Sequence, residues 1–169
     1  MANFNEIQPK DFAYSPFKLI GEDWMLITAE KEGKVNTMTA SWGGFGVMWG
    51  KSVAYIVIRP QRYTKEFIDN TDAFSLTFFD DSFKKVLSYM GTTSGRDENK
   101  IEKSNLTVVH ADGTPYFGEA NIAILCKKLF AQAYKPESFI AQELNAQWYP
   151  DVDHHILYIA EITKILVKA

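Results

Sequence analysis

The chain has 169 residues, 46% hydrophobic and 23% charged, which is the composition of a folded chain long enough to bury a core rather than of a disordered one. A net charge of −3 with no basic tract argues against a nucleic-acid partner. The lone cysteine, Cys126, excludes an internal disulfide framework, and no stretch reaches the ~20 apolar residues of a membrane span.

In chain order, the opening MANFNEIQPKDFAYS is polar and lacks the apolar stretch of a secretion signal, so the expectation is a cytoplasmic protein. DWMLITAE-KEGK-VNTMTASW reads as two strands around a turn, with Gly33 supplying the permissive backbone. The stretch Gly43 to Trp49 reads as a glycine-rich loop. Ser52–Ile58, SVAYIVI, is β-branched and apolar on both faces, the pattern of a buried interior strand, and Pro60 ends it. RYTKEFIDN predicts a short helix with Tyr63 and Phe67 one turn apart. Ala73–Phe79 predicts a strand. DSFKKVLSYMG predicts a helix capped by Asp81 or Ser82, with the stripe Phe83, Val86, Leu87 and Met90, ended by Gly91.

TTSGRDENKIEKSN is a polar loop that runs into a short helix, on which Arg96 and Lys100 would share a face. LTVVH, ANIAILCKKLFAQAY and HHILYIAEITKILV read as strands. Neither repeats nor a Pro/Gly-rich linker interrupt this order, so residues 1–169 are expected to form one domain. Long strands with a few short helices inserted, without strict βαβ alternation, predict a mainly β, α+β barrel-like sheet.

The chemistry-bearing residues are few. Gly44 and Gly46 are followed by Trp49 where a dinucleotide fingerprint needs a third glycine, and GKS at Gly50–Ser52 has Phe45 where a phosphate loop needs its first glycine. Both readings fail. His154 and His155 are adjacent, and in a strand they would point to opposite faces, so joint chelation is not expected. Asp151 or Asp153 with one of them is the one metal arrangement the spacing offers. Cys126 reads as a buried small hydrophobe, and Ser41 and Ser94 lack a visible base. Arg59 and Arg62 flank Pro60 where a helix begins with Thr64 in its first turn. Two guanidiniums, a hydroxyl and a helix N-terminus suit a phosphate; the competing reading is that both arginines are solvated.

Four segments in register resemble the flavin reductase-like proteins of the FMN-binding split-barrel fold, the flavoredoxin branch especially: NTMTASWGG, VIRPQRYTKEFI, MGTTSGRDENKIEKSNL and DVDHHILYIAEI. Ala160 departs from that pattern, standing where the family has Gly. The resemblance implies a split β-barrel with Greek-key character and a bound FMN, with FAD as the alternative. By it, Asn36, Thr39 and Ser41 and the backbone of Met38, Ala40 and Trp42 would line the flavin. Arg59, Arg62, Tyr63 and Thr64 would form the phosphate end, with Ser94, Arg96 and Lys100 nearby, and His155 would stand at the reactive face. The activity implied is hydride transfer from NADH or NADPH to flavin with onward electron transfer. The alternative is an FMN-holding electron carrier that works with a redox protein partner. A homodimer is implied as well.

Overall fold

In the computed structural model of this protein, which describes residues 3–169, a short strand β1 (Phe4–Ile7) leads through a π-helical segment, Phe17–Asp23, into the predicted hairpin. Its strands are β2 (Met25–Lys31) and β3 (Lys34–Ala40), in register from Met25–Ala40 to Lys31–Lys34. The two loop residues both take positive φ, Glu32 at 52° and Gly33 at 76°, as a two-residue turn matched to strand twist requires.

The expected loop at Gly43 to Trp49 is instead mostly a strand, β4 (Gly43–Met48), paired along its length with β5 (Lys51–Ile58). Glycine is a poor strand former, and Tyr55 explains the exception. Its side chain lies over Gly44, where an added Cβ would meet the phenol oxygen at 2.4 Å and ring carbons at 2.5 and 2.7 Å. An aromatic side chain thus covers backbone that the edge glycines leave bare.

Pro60 ends β5, and α1 (Tyr63–Asp69) carries the chain to β6 (Ala73–Phe78). The predicted cap shifts by one residue: Asp80 accepts from the Ser82 backbone N–H at the head of a 3-10 turn, which feeds α2 (Lys84–Thr92). Gly91 lies inside that helix rather than ending it. Then follow α3 (Lys100–Lys103), the hairpin β7 (Val108–Ala111) and β8 (Thr114–Phe117), β9 (Ile122–Ala133), α4 (Gln142–Trp148) and β10 (Ile156–Lys168). His154 and His155 precede β10 rather than lying in it.

The main sheet runs β3-β2-β6-β9-β10-β5-β4, with β1 added on β10 and every pair antiparallel. The β5 to β6 connection crosses from one side of the sheet to the other, which is its Greek-key character. The sheet curls on itself: Met25 and Ile27, Ala54 and Ile56, Phe74 and Leu76, Ile124 and Cys126, and Tyr158 and Ala160 share one core cluster. Ala160, 0% exposed, therefore belongs to the core. Leu26 points to the other side of β2, where Leu87 and Met90 of α2 cover it together with Phe79 and Phe117. Among the described residues, no helix is long and apolar enough to cross a membrane.

Candidate functional site

The end of β3, the start of α1 and the segment after α2 come together around a cleft of about 180 Å³. Asn36, Arg62, Thr64, Ser94 and Lys100 all line it. Asn36 donates from Nδ2 to Thr64 Oγ1 at 2.9 Å, tying β3 to α1. Gly95 lets the following loop close on that pair, since a Cβ there would stand 2.1 Å from Asn36 Oδ1.

Two cations share this cleft. Lys100, 3% exposed, donates from Nζ to Met90 O at 2.7 Å and Thr93 O at 2.8 Å. Arg62 donates to Gly91 O at 2.8 Å. The carbonyls belong to the C-terminal end of α2, whose partial negative charge of about half a unit draws cations but does not balance two of them. Burial, and then the Arg62 charge, lower the Lys100 pKa to about 8; burial also lowers that of Arg62.

A second cleft of about 230 Å³ meets the first at Met38 and Arg62. Its wall is the chain from Met38 through Thr39, Ala40 and Ser41 to Trp42, and its far end holds Trp148 and His155. The Thr39 hydroxyl is spent on Leu87 O, so it anchors α2 and only its lone pairs face elsewhere. Trp42 packs edge-on to Trp148, with ring centroids 4.9 Å apart, and lies 5.2 Å from the His155 ring. Burial first, then the Arg59 charge, push the His155 pKa down to about 4, against the smaller upward pull of Asp153. The ring is therefore uncharged at neutral pH.

Arg59 does not join Arg62 and Thr64, as its spacing predicts. It lines the second cleft, where it binds Asp153 Oδ2 at 2.5 Å and Trp148 O at 2.9 Å and lies over the Tyr149 ring. Arg96 is also placed elsewhere. It is exposed, pairs with Glu66, donates to Gln61 O and stacks on Tyr63, outside both clefts, while Lys100 turns inward. Asp153 is engaged by Arg59 and Gln61, and no metal-holding cluster of His, Cys, Asp or Glu occurs among the described residues. Cys126 is buried in the core, and burial pushes its thiol pKa up. The seven-residue α1 begins at the cleft without a side-chain cap, too short for a large dipole; the positive charge comes from Lys100 and Arg62.

The sequence reading missed Trp148, Tyr149 and the closely packed Gly95. The QWYP stretch, an aromatic pair shortly before the two histidines, was the available signal for the first two.

Residues 18–169 match the sequence model of the family described as flavin reductase like domain. Among solved structures, an FMN-binding domain of a flavin reductases-like enzyme from Shewanella baltica OS155 has a TM-score of 0.72 at 18% identity, covering 99% of this chain and 78% of that one. A flavoredoxin of Desulfovibrio vulgaris (Miyazaki F) has a TM-score of 0.67 at 22% identity, covering 86% and 69%. The styrene monooxygenase flavin reductase from Pseudomonas putida S12 has a TM-score of 0.62 at 15% identity, covering 85% and 77%. An uncharacterised protein from Aeropyrum pernix is 26% identical over 103 residues, or 59% of this chain; the match spans about two fifths, 39%, of that curated relative. The curled antiparallel sheet is thus the split barrel of these structures, and the chain belongs to the flavin reductase like domain family.

Proposed function

We propose that the two joined clefts hold FMN and that the protein is an oxidoreductase of the flavin reductase type. One observation carries the reading: Arg62 and the buried Lys100 line the joined clefts with carbonyls but no carboxylate as partners, whereas Arg59 beside them is paired with Asp153. Two cations held together without a counter-charge call for an anion. The first cleft adds Thr64 and Ser94 hydroxyls, which suits a phosphate. The second offers strand backbone and two Trp rings, which suits a flat aromatic ring system. FAD is the alternative ligand.

When bound, the flavin would supply hydride acceptance from NADH or NADPH and onward electron transfer. The chain's own residues bind and orient. Arg62 and Lys100, with Thr64 and Ser94 beside them, grip the phosphate. The strand end from Asn36 to Trp42 offers backbone and Ser41 hydroxyl groups to the ring's polar edge. Tyr63 closes the phosphate end, with Arg96 on its ring. Arg59 holds the Trp148 segment in place, and His155 meets the co-substrate as an uncharged hydrogen-bonding group. We place this activity in the cytoplasm, in a single domain that pairs as a homodimer. The rival reading is an FMN-holding electron carrier that serves a redox protein partner, in keeping with the similarity to a flavoredoxin.

Titration with FMN, followed by flavin fluorescence, tests the site: binding tighter than ~100 μM, or about 5.5 kcal/mol, is expected. Absence of binding by both FMN and FAD removes the proposal. Oxidation of NADH or NADPH with flavin present then favours the reductase over the carrier, which would turn over only with its protein partner.

A further inference from the structure

The two ring nitrogens of His155 have different surroundings. Nδ1 lies 2.8 Å from the Tyr149 hydroxyl. Nε2 has no hydrogen-bond partner among the described residues, yet it is not sealed from solvent. The histidine lines the second cleft, so Nε2 is the nitrogen left to face it. The Tyr149 side is tighter. That residue is 6% exposed, and its hydroxyl has no hydrogen bond besides the one to His155. If the hydroxyl accepted from Nδ1–H, its own proton would be buried without an acceptor. By donating to Nδ1 it leaves neither group unmet, and the ring proton then sits on Nε2.

Packing holds both rings where this bond needs them. Tyr149 stacks on His154 at 4.6 Å with an interplanar angle of 18° and stands edge-on to His155 at 5.6 Å and 83°. Trp42 lies 5.2 Å and Tyr134 6.4 Å from the His155 ring. His154 is occupied by Asn145 and by the Val152 carbonyl, so it does not compete for Tyr149.

We propose that Tyr149 is a positioning residue that donates to His155 Nδ1 and so fixes His155 as an uncharged Nε2–H donor in the cleft, selecting a co-substrate that presents a carbonyl or amide oxygen there. The identity of that oxygen, the carboxamide of a nicotinamide, rests on the reductase reading above; the tautomer does not. The groups facing the imidazole are Arg59, Asp153, Tyr149, Tyr134 and the neighbouring His154. Burial and Arg59 hold the ring uncharged down to about pH 4, so Nε2–H remains a donor through the neutral range and does not become an imidazolium acid.

Nitrogen-15 NMR of the imidazole in the flavin-free protein reads this directly. The expected spectrum of the wild type has the proton of His155 on Nε2 and no titration above pH 5. Tyr149→Phe removes only the hydroxyl. It should give mixed tautomers, leave the ring uncharged at neutral pH because burial and Arg59 remain, and raise KM for the nicotinamide nucleotide about five- to tenfold with FMN affinity kept. A wild-type proton on Nδ1 overturns the proposal even if the variant does not fold. An unchanged tautomer in a folded Tyr149→Phe protein also overturns it. A changed tautomer with unchanged KM overturns the co-substrate contact. If the wild type oxidises neither NADH nor NADPH while the tautomer is as expected, the reductase reading fails and the Tyr149 hold on the ring stands.

Discussion

Lys100 has a pKa of about 8 in the folded protein against 10.5 in an unfolded chain, because burial and Arg62 both disfavour its charge. Between those values the unfolded chain keeps a proton that the folded chain has lost, so this group's contribution to stability rises with pH over that window. Below pH 8 both states are charged, and the cost of the buried cation is fully present. An anion in the cleft reverses the balance, since it favours the charged lysine. FMN affinity should therefore be level near pH 7 and fall above pH 8 by up to about tenfold per pH unit, as binding comes to require proton uptake. Lys100→Met should weaken FMN by about one to two powers of ten, remove that pH dependence and leave riboflavin, which has no phosphate, nearly unchanged. Isothermal titration in two buffers of different ionisation enthalpy would count the proton; equal losses for FMN and riboflavin would place the phosphate elsewhere. Arg62 and Thr64 could be read together because the start of one helix carries both, whereas Lys100 read only as a neighbour of Arg96 on a separate loop and came near the phosphate through the family resemblance alone. Arg59 and Arg96 could not be placed this way, because their positions follow from Asp153 and Glu66, acids 94 and 30 residues away in the chain.

At the scale of elements, β4 rests on two glycines that fail in different ways. Gly43 has φ of +144°, and a Cβ there would stand 2.4 Å from the Tyr55 carbonyl oxygen, which is backbone and cannot swing aside. Gly44 would instead meet the outer ring of Tyr55, a half-exposed side chain that can rotate away. Gly43→Ala should cost about 2–4 kcal/mol, from strain and a displaced strand, and Gly44→Ala about 1 kcal/mol or less. Urea unfolding of both variants checks the order, and equal costs would mean that Tyr55 is as fixed as the backbone. The hairpin β2–β3, the strands β5, β6, β9 and β10, and the helices α1 and α2 were all legible, because alternation, turn residues and apolar stripes are local signals. The strand β4 was not, since its glycines read as loop and only a tyrosine on the next strand makes them a strand. Nor was α4, whose residues are nearly all exposed and carry no apolar stripe. That segment is held instead by a long-range contact, Arg59 to Trp148 O, and by the bond of the following Tyr149 to His155.

The whole molecule has a sheet face turned away from the core that remains apolar. On β5, Ala54, Ile56 and Ile58 point inward, so Val53, Tyr55 and Val57 point outward; this is why the strand reads apolar on both sides. Across the sheet, Tyr55 pairs with Ile159 and Ile159 with Phe130, and Trp49 from the end of β4 lies 6.2 Å from the Phe130 ring. Tyr55, Trp49 and Phe130 stay 37%, 59% and 39% exposed. The ion pair between Lys51 and Glu161 sits at the border of this row, an arrangement of apolar centre and polar rim. Val57 belongs to this face and also lines the second cleft, so whatever covers the face also borders the proposed flavin site. A second copy of the chain is the covering we expect, since a twofold contact would lay the row against itself. Light scattering at micromolar concentration should then give twice 19.2 kDa. Phe130→Lys sets two like charges near one another across such a contact and should weaken association at least tenfold, about 1.4 kcal/mol, with an unchanged far-ultraviolet spectrum. Its FMN affinity should fall in step with dimer dissociation, because Val57 makes this face continuous with the lining of the second cleft. A wild type that scatters as a 19.2 kDa monomer, or a monomeric variant that binds FMN as tightly as the dimer, would mean that the apolar face serves something other than a second copy.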